Sequence, residues 1–195
     1  EMYPKIWPGI KWSERKMQWT APSGATLWMS YLDKDQDVTK YQGLAFSWIG
    51  FDELTQWATP FAWNYMRSRL RSADPELPLC MRATTNPGGR GHHWVKKMFI
   101  DPAPAGKSFI ATDIETGEPL KYPAGHAKAG RPLFKRRFIP ARLKDNPYLS
   151  QQGDYEAMLL SLPEQQRRQL LDGDWDIKEG AAFTEFNRHD HVIEP

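Results

Sequence analysis

Cysteine is almost absent: Cys80 is the only one in 195 residues, which excludes an internal disulfide and any cysteine-based zinc site. Cys80 itself reads as a small buried hydrophobe. Nothing approaches the roughly 20 consecutive apolar residues of a membrane span, and Glu1 to Trp12 lacks the charged-then-apolar plan of a signal peptide. A soluble chain with no membrane partner is therefore expected. There is no internal repeat and no low-complexity tract. Also missing is a phosphate cradle of the form Gly-x-x-x-x-Gly-Lys-[Ser/Thr] anywhere before Asp52.

What is present points to a folded core. The apolar share is 40% and there are nine tryptophans, a composition that a disordered chain does not carry. The length suits one compact domain with an appended subdomain. The net charge of +2 conceals an uneven distribution: residues 81–144 hold thirteen basic and four acidic residues, net +9, whereas 145–195 hold four and eleven, net −7. A local basic excess of that size favours a polyanion such as DNA, because each neutralised phosphate releases counterions. A solvated basic face balanced by the acidic tail is the competing explanation.

Prolines and glycines divide the chain into four blocks. In the first, to Gln42, Lys16–Thr20 and Thr26–Tyr31 read as a hairpin turning at Pro22-Ser23-Gly24. In the second, the apolar run Leu44–Phe51 predicts a strand buried on both faces of a parallel sheet. A helix follows, with Thr59 at its cap, Pro60 in its first position and Arg67, Arg69 and Arg71 in its later turns. Leu79–Thr85 predicts another buried strand, and Trp94, Val95, Met98 and Phe99 recur at helical spacing. This strand, helix, strand, helix order is the plan of an α/β sheet. The third block, Asp101–Gly130, reads as an insertion holding a hairpin, followed by a basic strand over Phe134–Leu143. The fourth predicts two helices, one capped by Asn146, the other opened by a Ser161-Leu162-Pro163-Glu164 capping box and stopped at Gly173.

Asp52-Glu53 ends the first apolar run, where the carboxyl edge of a parallel sheet binds ligands. In nucleotide hydrolysis such a pair divides its work: the first carboxylate holds Mg²⁺ and the second orients the attacking water. Alone, an apolar run ending in two acids is a weak signal, because strands commonly end in polar residues. Thr84-Thr85-Asn86-Pro87 strengthens it by bringing hydroxyls and an amide to the end of the next strand, where they can sense a phosphate. A helix cap or an Asx turn at Asn86 is the alternative there. Gly106-Lys107-Ser108 imitates the end of a phosphate loop, but Asp101 stands where the first glycine belongs and β-prone Phe109-Ile110 follows, so it is read as a decoy. His92-His93 reads as a cap or a surface contact rather than a metal site.

Several strings together resemble the large terminase subunit of tailed bacteriophages, the ATP-driven motor that packages DNA. They are Tyr41-Gln42-Gly43, Ile49–Leu54, Thr84–Gly89, Gly91-His92-His93-Trp94 with Phe99, Asp145–Leu149, Leu171–Trp175 and Phe183, in order from about Ser23 to Phe186. The resemblance implies an α/β fold: the C-terminal half of a RecA-like P-loop ATPase core, a mostly parallel sheet, over 1–144. A small helical linker subdomain would follow over 145–180, and 181–195 would begin the connection to a nuclease domain. It also implies Asp52 as the magnesium-holding acid of a Walker B motif, Glu53 as the catalytic carboxylate, and Thr84, Thr85 and Asn86 as the coupling motif. Lys135, Arg136 and Arg137 would contact DNA or the portal. ATP and Mg²⁺ are the implied cofactors. Double-stranded DNA, the small terminase subunit, the portal protein and further copies in a ring are the implied partners, in the host cytoplasm and at the portal. Some relatives carry an arginine where Gln42 stands, so no trans-acting arginine is assigned. Without a phosphate loop, these residues alone are expected to be inactive. A helicase-like translocase fragment and a non-catalytic DNA-binding or assembly module are the alternative readings.

Overall fold

The computed structural model describes residues 2–150 and 153–177; the segments called 181–195 and Phe183 above lie outside them. The chain divides into two compact units, the first ending at Gln42 and the second starting at Gly43.

The first unit opens with a short helix, α1 (Tyr3–Ile6), and an antiparallel meander of β1 (Lys11–Ser13), β2 (Gln18–Thr20) and β3 (Thr26–Trp28). The expected hairpin is there, shorter than its apolar alternation suggested and joined by a third strand. Trp12 pairs with Trp19 across β1 and β2. Tyr3 and Trp12 close on Trp19, with ring centroids 5.4 and 5.1 Å away, so aromatic packing substitutes for a thicker core.

The second unit is mixed α/β. Its β4 (Trp48–Phe51) and β5 (Cys80–Ala83) form a parallel pair in the register Ile49↔Met81 and Phe51↔Ala83. The helix α2 (Phe61–Arg67) connects them. The Thr59 hydroxyl accepts the Phe61 N–H at 3.3 Å, but Pro60 holds the cap position and the first helical residue is Phe61, so the helix starts one residue later than expected. The helix ends at Arg67, leaving Arg69 and Arg71 beyond it. The helix α3 (His92–Val95) continues into a π turn over Lys96–Ile100.

Two expectations are corrected. The sheet is not mostly parallel: among the described residues β4 and β5 are the one parallel pair of strands, beside an isolated parallel bridge Phe46↔Leu70, and the other sheets are antiparallel. Nor are these strands buried on both faces. Ile49 is buried while Trp48, on the opposite face, is 49% exposed, because the helices cover one face only, and Leu79, 47% exposed, lies before β5 begins. Cys80 is half-buried rather than enclosed. The covered face carries the core of Leu54, Trp63, Trp94, Val95, Met98 and Trp175, with Phe51, Met81, Phe99 and Phe138 packed against it.

Beyond the core, β6 (Ser108–Ile110) pairs antiparallel with β7 (Lys135–Arg137). The strand expected over Phe134–Leu143 thus ends before Phe138, as Pro140 permits. The helical segment is α4 (Pro147–Ser150), α5 (Asp154–Leu160) and α6 (Glu164–Arg167), the last extended by a π turn to Asp172. Asn146 Oδ1 accepts the Tyr148 N–H at 3.1 Å, the predicted cap. The capping box does not form. The Ser161 hydroxyl instead donates to Met158 O at 2.6 Å, and Pro163 opens α6. Gly173 stops the segment in the left-handed region, φ +63°. Trp175 then packs on His92 and Phe138, with centroids 5.4 and 6.1 Å away, and Asp176 pairs with Lys96 at 2.9 Å. Lys96 has its pKa raised, first by Asp176 and then by Asp101. The segment after the helices is therefore tied to α3 and its π turn.

Candidate functional site

The parallel register decides the site. Because Phe51 lies opposite Ala83, the next residues on both strands, Asp52 and Thr84, emerge side by side. Thr84 N donates to Phe51 O and Leu54 N donates to Thr84 O, each at 3.0 Å, so pairing continues past the strand ends. The Thr84 hydroxyl donates to Asp52 Oδ1, and the Glu53 N–H reaches the same oxygen at 3.1 Å. One carboxylate is thus held by two donors from two strands.

Glu53 occupies the left-handed region, φ +51° and ψ +52°, uncommon for a residue with a Cβ and sustained only where the surroundings impose it. It precedes a 3-10 turn over Leu54–Gln56 but makes no capping bond to it. Its exposed carboxylate has no hydrogen bond or ion pair among the described residues. The backbone therefore turns Glu53 outward beside a fixed Asp52.

Thr85 faces inward. Its hydroxyl accepts the Thr55 N–H at 3.0 Å and donates to Thr55 Oγ1 at 2.9 Å, while the Thr55 hydroxyl donates to Asn86 O at 3.0 Å. Thr55 is 3% exposed and is the hub of the loop after β5. Gly91 N donates to Thr55 O at 2.7 Å, and Trp94 Nε1 donates to Trp57 O at 2.7 Å. Asn86 contributes its carbonyl here, while its side chain is exposed at the same edge. The Asx turn considered for it is not formed. Thr55 carries no motif that sequence reading could seize on; the run Gly88-Gly89-Arg90-Gly91 was the available signal, because it marks close backbone approach.

The other sequence candidates separate. His92 is not a surface group: it is 4% exposed, its Nδ1 accepts the Gly88 N–H at 2.9 Å, and its ring stacks on Trp175. Gly106-Lys107-Ser108 is a turn running into β6, with Gly106 N bonded to Phe138 O at 2.8 Å, so no helix N-terminus faces it. Of the basic trio, Lys135 and Arg137 are exposed. Arg136 is corrected: it is buried, donates from Nη1 to Thr112 O at 2.9 Å, and stacks over Phe99 and Phe134. Alternation along β7 turns it inward. Burial, together with the nearby Arg67, lowers its pKa to about 10, which leaves it charged at neutral pH and facing away from any phosphate outside.

Among the described residues no three His, Cys, Asp or Glu side chains converge as a metal site. The donors at the sheet edge are Asp52 and, beside it, the Thr84 hydroxyl. That set does not suit a cation caged by protein alone. It does suit Mg²⁺, which keeps several waters and is held by one or two carboxylates plus substrate phosphates. No helix among the described residues is long and apolar enough to cross a membrane.

Residues 3–190 match the family model described as terminase large subunit, T4-like-virus type, N-terminal. No curated protein and no solved structure matches the chain.

Proposed function

The chain belongs to the large terminase subunit family, T4-like type, in its N-terminal part, and on that premise we propose that it carries the Walker B and coupling half of a RecA-like ATPase that drives double-stranded DNA into a capsid. The observation that supports this most directly is the joining of Asp52, Glu53 and Thr84 at the carboxyl end of two parallel strands. In this reading residues 145–180 are the linker toward a nuclease domain. The small subunit, the portal and other copies of the motor are partners in the host cytoplasm. A non-catalytic module that uses Asp52-Glu53 as a helix cap gains no support from Glu53, whose side chain caps nothing.

The residues divide the chemistry as follows. Asp52, held by the Thr84 hydroxyl and the Glu53 amide, presents its free oxygen in one orientation. Mg²⁺, when bound with ATP, supplies charge neutralisation at the phosphates. Glu53 accepts the hydrogen bond of the attacking water and takes up its proton as the bond to the terminal phosphorus forms and the bond from that phosphorus to the bridging oxygen breaks, releasing ADP. Thr84 shares Asp52 as acceptor, so a change at the phosphates reaches β5, and Thr85 carries it to the loop clamped on Thr55.

Two tests follow. In the large subunit containing these residues, Asp52→Asn is expected to raise the Mg²⁺ concentration for half-maximal ATP hydrolysis at least ~10-fold, the order lost with one charged ligand. An unchanged Mg²⁺ titration would remove Asp52 from the metal. Second, the 195 residues by themselves have no phosphate loop ahead of Asp52. Isothermal titration should therefore find ATP binding no tighter than about 1 mM, a weak-affinity regime near −4 kcal/mol, and turnover at a normal motor rate would refute this assignment.

A further inference from the structure

The basic excess is not spread evenly over the surface. From Pro119 to Lys144 there are eight lysines and arginines and no aspartate or glutamate. None of the eight enters an ion pair among the described residues. Part of this stretch is anchored and part is offered to solvent. Arg136 locks the base of the β6–β7 hairpin onto Phe99, whose ring meets Trp63 edge-on at 5.4 Å, and Trp63 packs on Phe51, the residue before Asp52.

Above that base the chain forms a second ribbon. Leu133 N donates to Leu120 O at 2.9 Å, Tyr122 N to Arg131 O at 2.9 Å and Gly130 N to Tyr122 O at 3.0 Å. The tip turns through Gly125 and Gly130, both at positive φ. Tyr122 and His126 stack with centroids 4.6 Å apart, Lys128 lies over the Tyr122 ring at 5.8 Å, and the Lys128 N–H bonds His126 Nδ1 at 3.0 Å. Lys121, His126, Lys128 and Arg131 are all exposed. The tip is thus an ordered basic finger whose acidic neighbour, the Asp113–Glu118 turn, folds on itself: Asp113 accepts the Thr116 and Glu115 N–H groups, which lower its pKa in that order of effect.

We propose that this finger, through Lys121, Lys128 and Arg131, grips the phosphate backbone of duplex DNA; the assignment rests on the packaging reading above and names its contact surface. A protein partner fits less well. The tip offers alanine, glycine and proline between lysines, whereas protein interfaces deplete lysine and need an apolar centre. Phosphate contacts need only positioned cations and carry no sequence preference. The ribbon format suits a groove edge, and the anchor through Arg136 links the grip to the strand that ends in Asp52.

The test uses this chain and a 20-base-pair fluorescent duplex, with anisotropy measured from 50 to 200 mM salt. Lys121→Gln/Lys128→Gln/Arg131→Gln should weaken binding at least ~10-fold at low salt and lower the slope of log affinity against log salt by about 2 to 3, near 0.9 per lost contact. The variant's thermal melt should match the parent's, because all three side chains are exposed. Lys5→Gln/Lys11→Gln/Lys34→Gln removes the same net charge from residues outside the finger and should change affinity less than about 2-fold. Equal losses in both triple variants would reduce the effect to net charge and overturn the finger. So would a parent chain that does not bind the duplex. Unchanged duplex affinity in the finger variant would overturn it in favour of an acidic protein surface. In that last case, an Mg²⁺ titration still shifted by Asp52→Asn would leave the ATPase reading standing.

Discussion

Glu53→Gln in the large terminase subunit is expected to cut ATP turnover by about 10²- to 10⁴-fold, the range for losing a general base, while ATP affinity stays within about 3-fold. Gln keeps the length and the hydrogen-bonding reach of Glu but cannot take a proton. It also keeps the backbone demand at this position, where φ is +51°, so folding stability should not change. Glu53→Gly separates the two roles. It relieves the left-handed conformation, contributing about 0.5–1 kcal/mol of stability at a position that only glycine occupies without cost, and removes the carboxylate altogether. Activity should vanish while the melting temperature holds or rises. Such a pattern marks strain held for function. Turnover of Glu53→Gln within about 3-fold of the parent would take the catalytic role from Glu53.

The second large effect is structural. Gly91→Ala would place a Cβ 2.0 Å from Trp57 O, 2.6 Å from Trp94 Nε1 and 3.1 Å from Thr55 O. Two of these obstacles are backbone carbonyls, which cannot swing aside as a long side chain can. Both already accept hydrogen bonds, from Trp94 Nε1 and from Gly91 N. Making room therefore breaks at least one buried bond, costing about 1–3 kcal/mol, and loosens Trp94 in the core. A total of about 3–5 kcal/mol falls in the range reserved for overpacking combined with a lost buried hydrogen bond. For a domain of this size that corresponds to a fall of about 6–20 °C in melting temperature. Calorimetry showing a change below about 2 °C would mean that the loop is not clamped as described. Because the same loop links Thr85 to Thr55, a folded Gly91→Ala protein should also respond less to nucleotide.

The two strands ending in Asp-Glu and Thr-Thr-Asn-Pro were legible because an apolar run broken by polar residues is a local pattern. So were the cap at Asn146, the stop at Gly173 and the false phosphate loop at Gly106. What was misread depended on neighbours. Trp48 belongs to an apolar run, but apolarity does not say whether a second face will be covered. Ser161 has the residues of a capping box three positions from Glu164, yet its hydroxyl turned back to Met158 O, as serines near helix ends do when a local carbonyl is closer.

From sequence alone came the chemistry on offer: two adjacent carboxylates, a hydroxyl-rich strand end, a basic middle segment, no cysteine cluster and the motif order of a large terminase subunit. Tertiary structure decided which of those groups meet. Asp52 and Thr84 are 32 residues apart and Thr55 and Thr85 are 30 apart, and only the parallel register of β4 and β5 brings them together. The pleat of β7 sent Arg136 inward and left Lys135 and Arg137 outside. The segment after the helices found α3 through Trp175 and Asp176. Local periodicity carries the type of each element. Contacts between residues thirty and more positions apart depend on register and packing, which no local window contains.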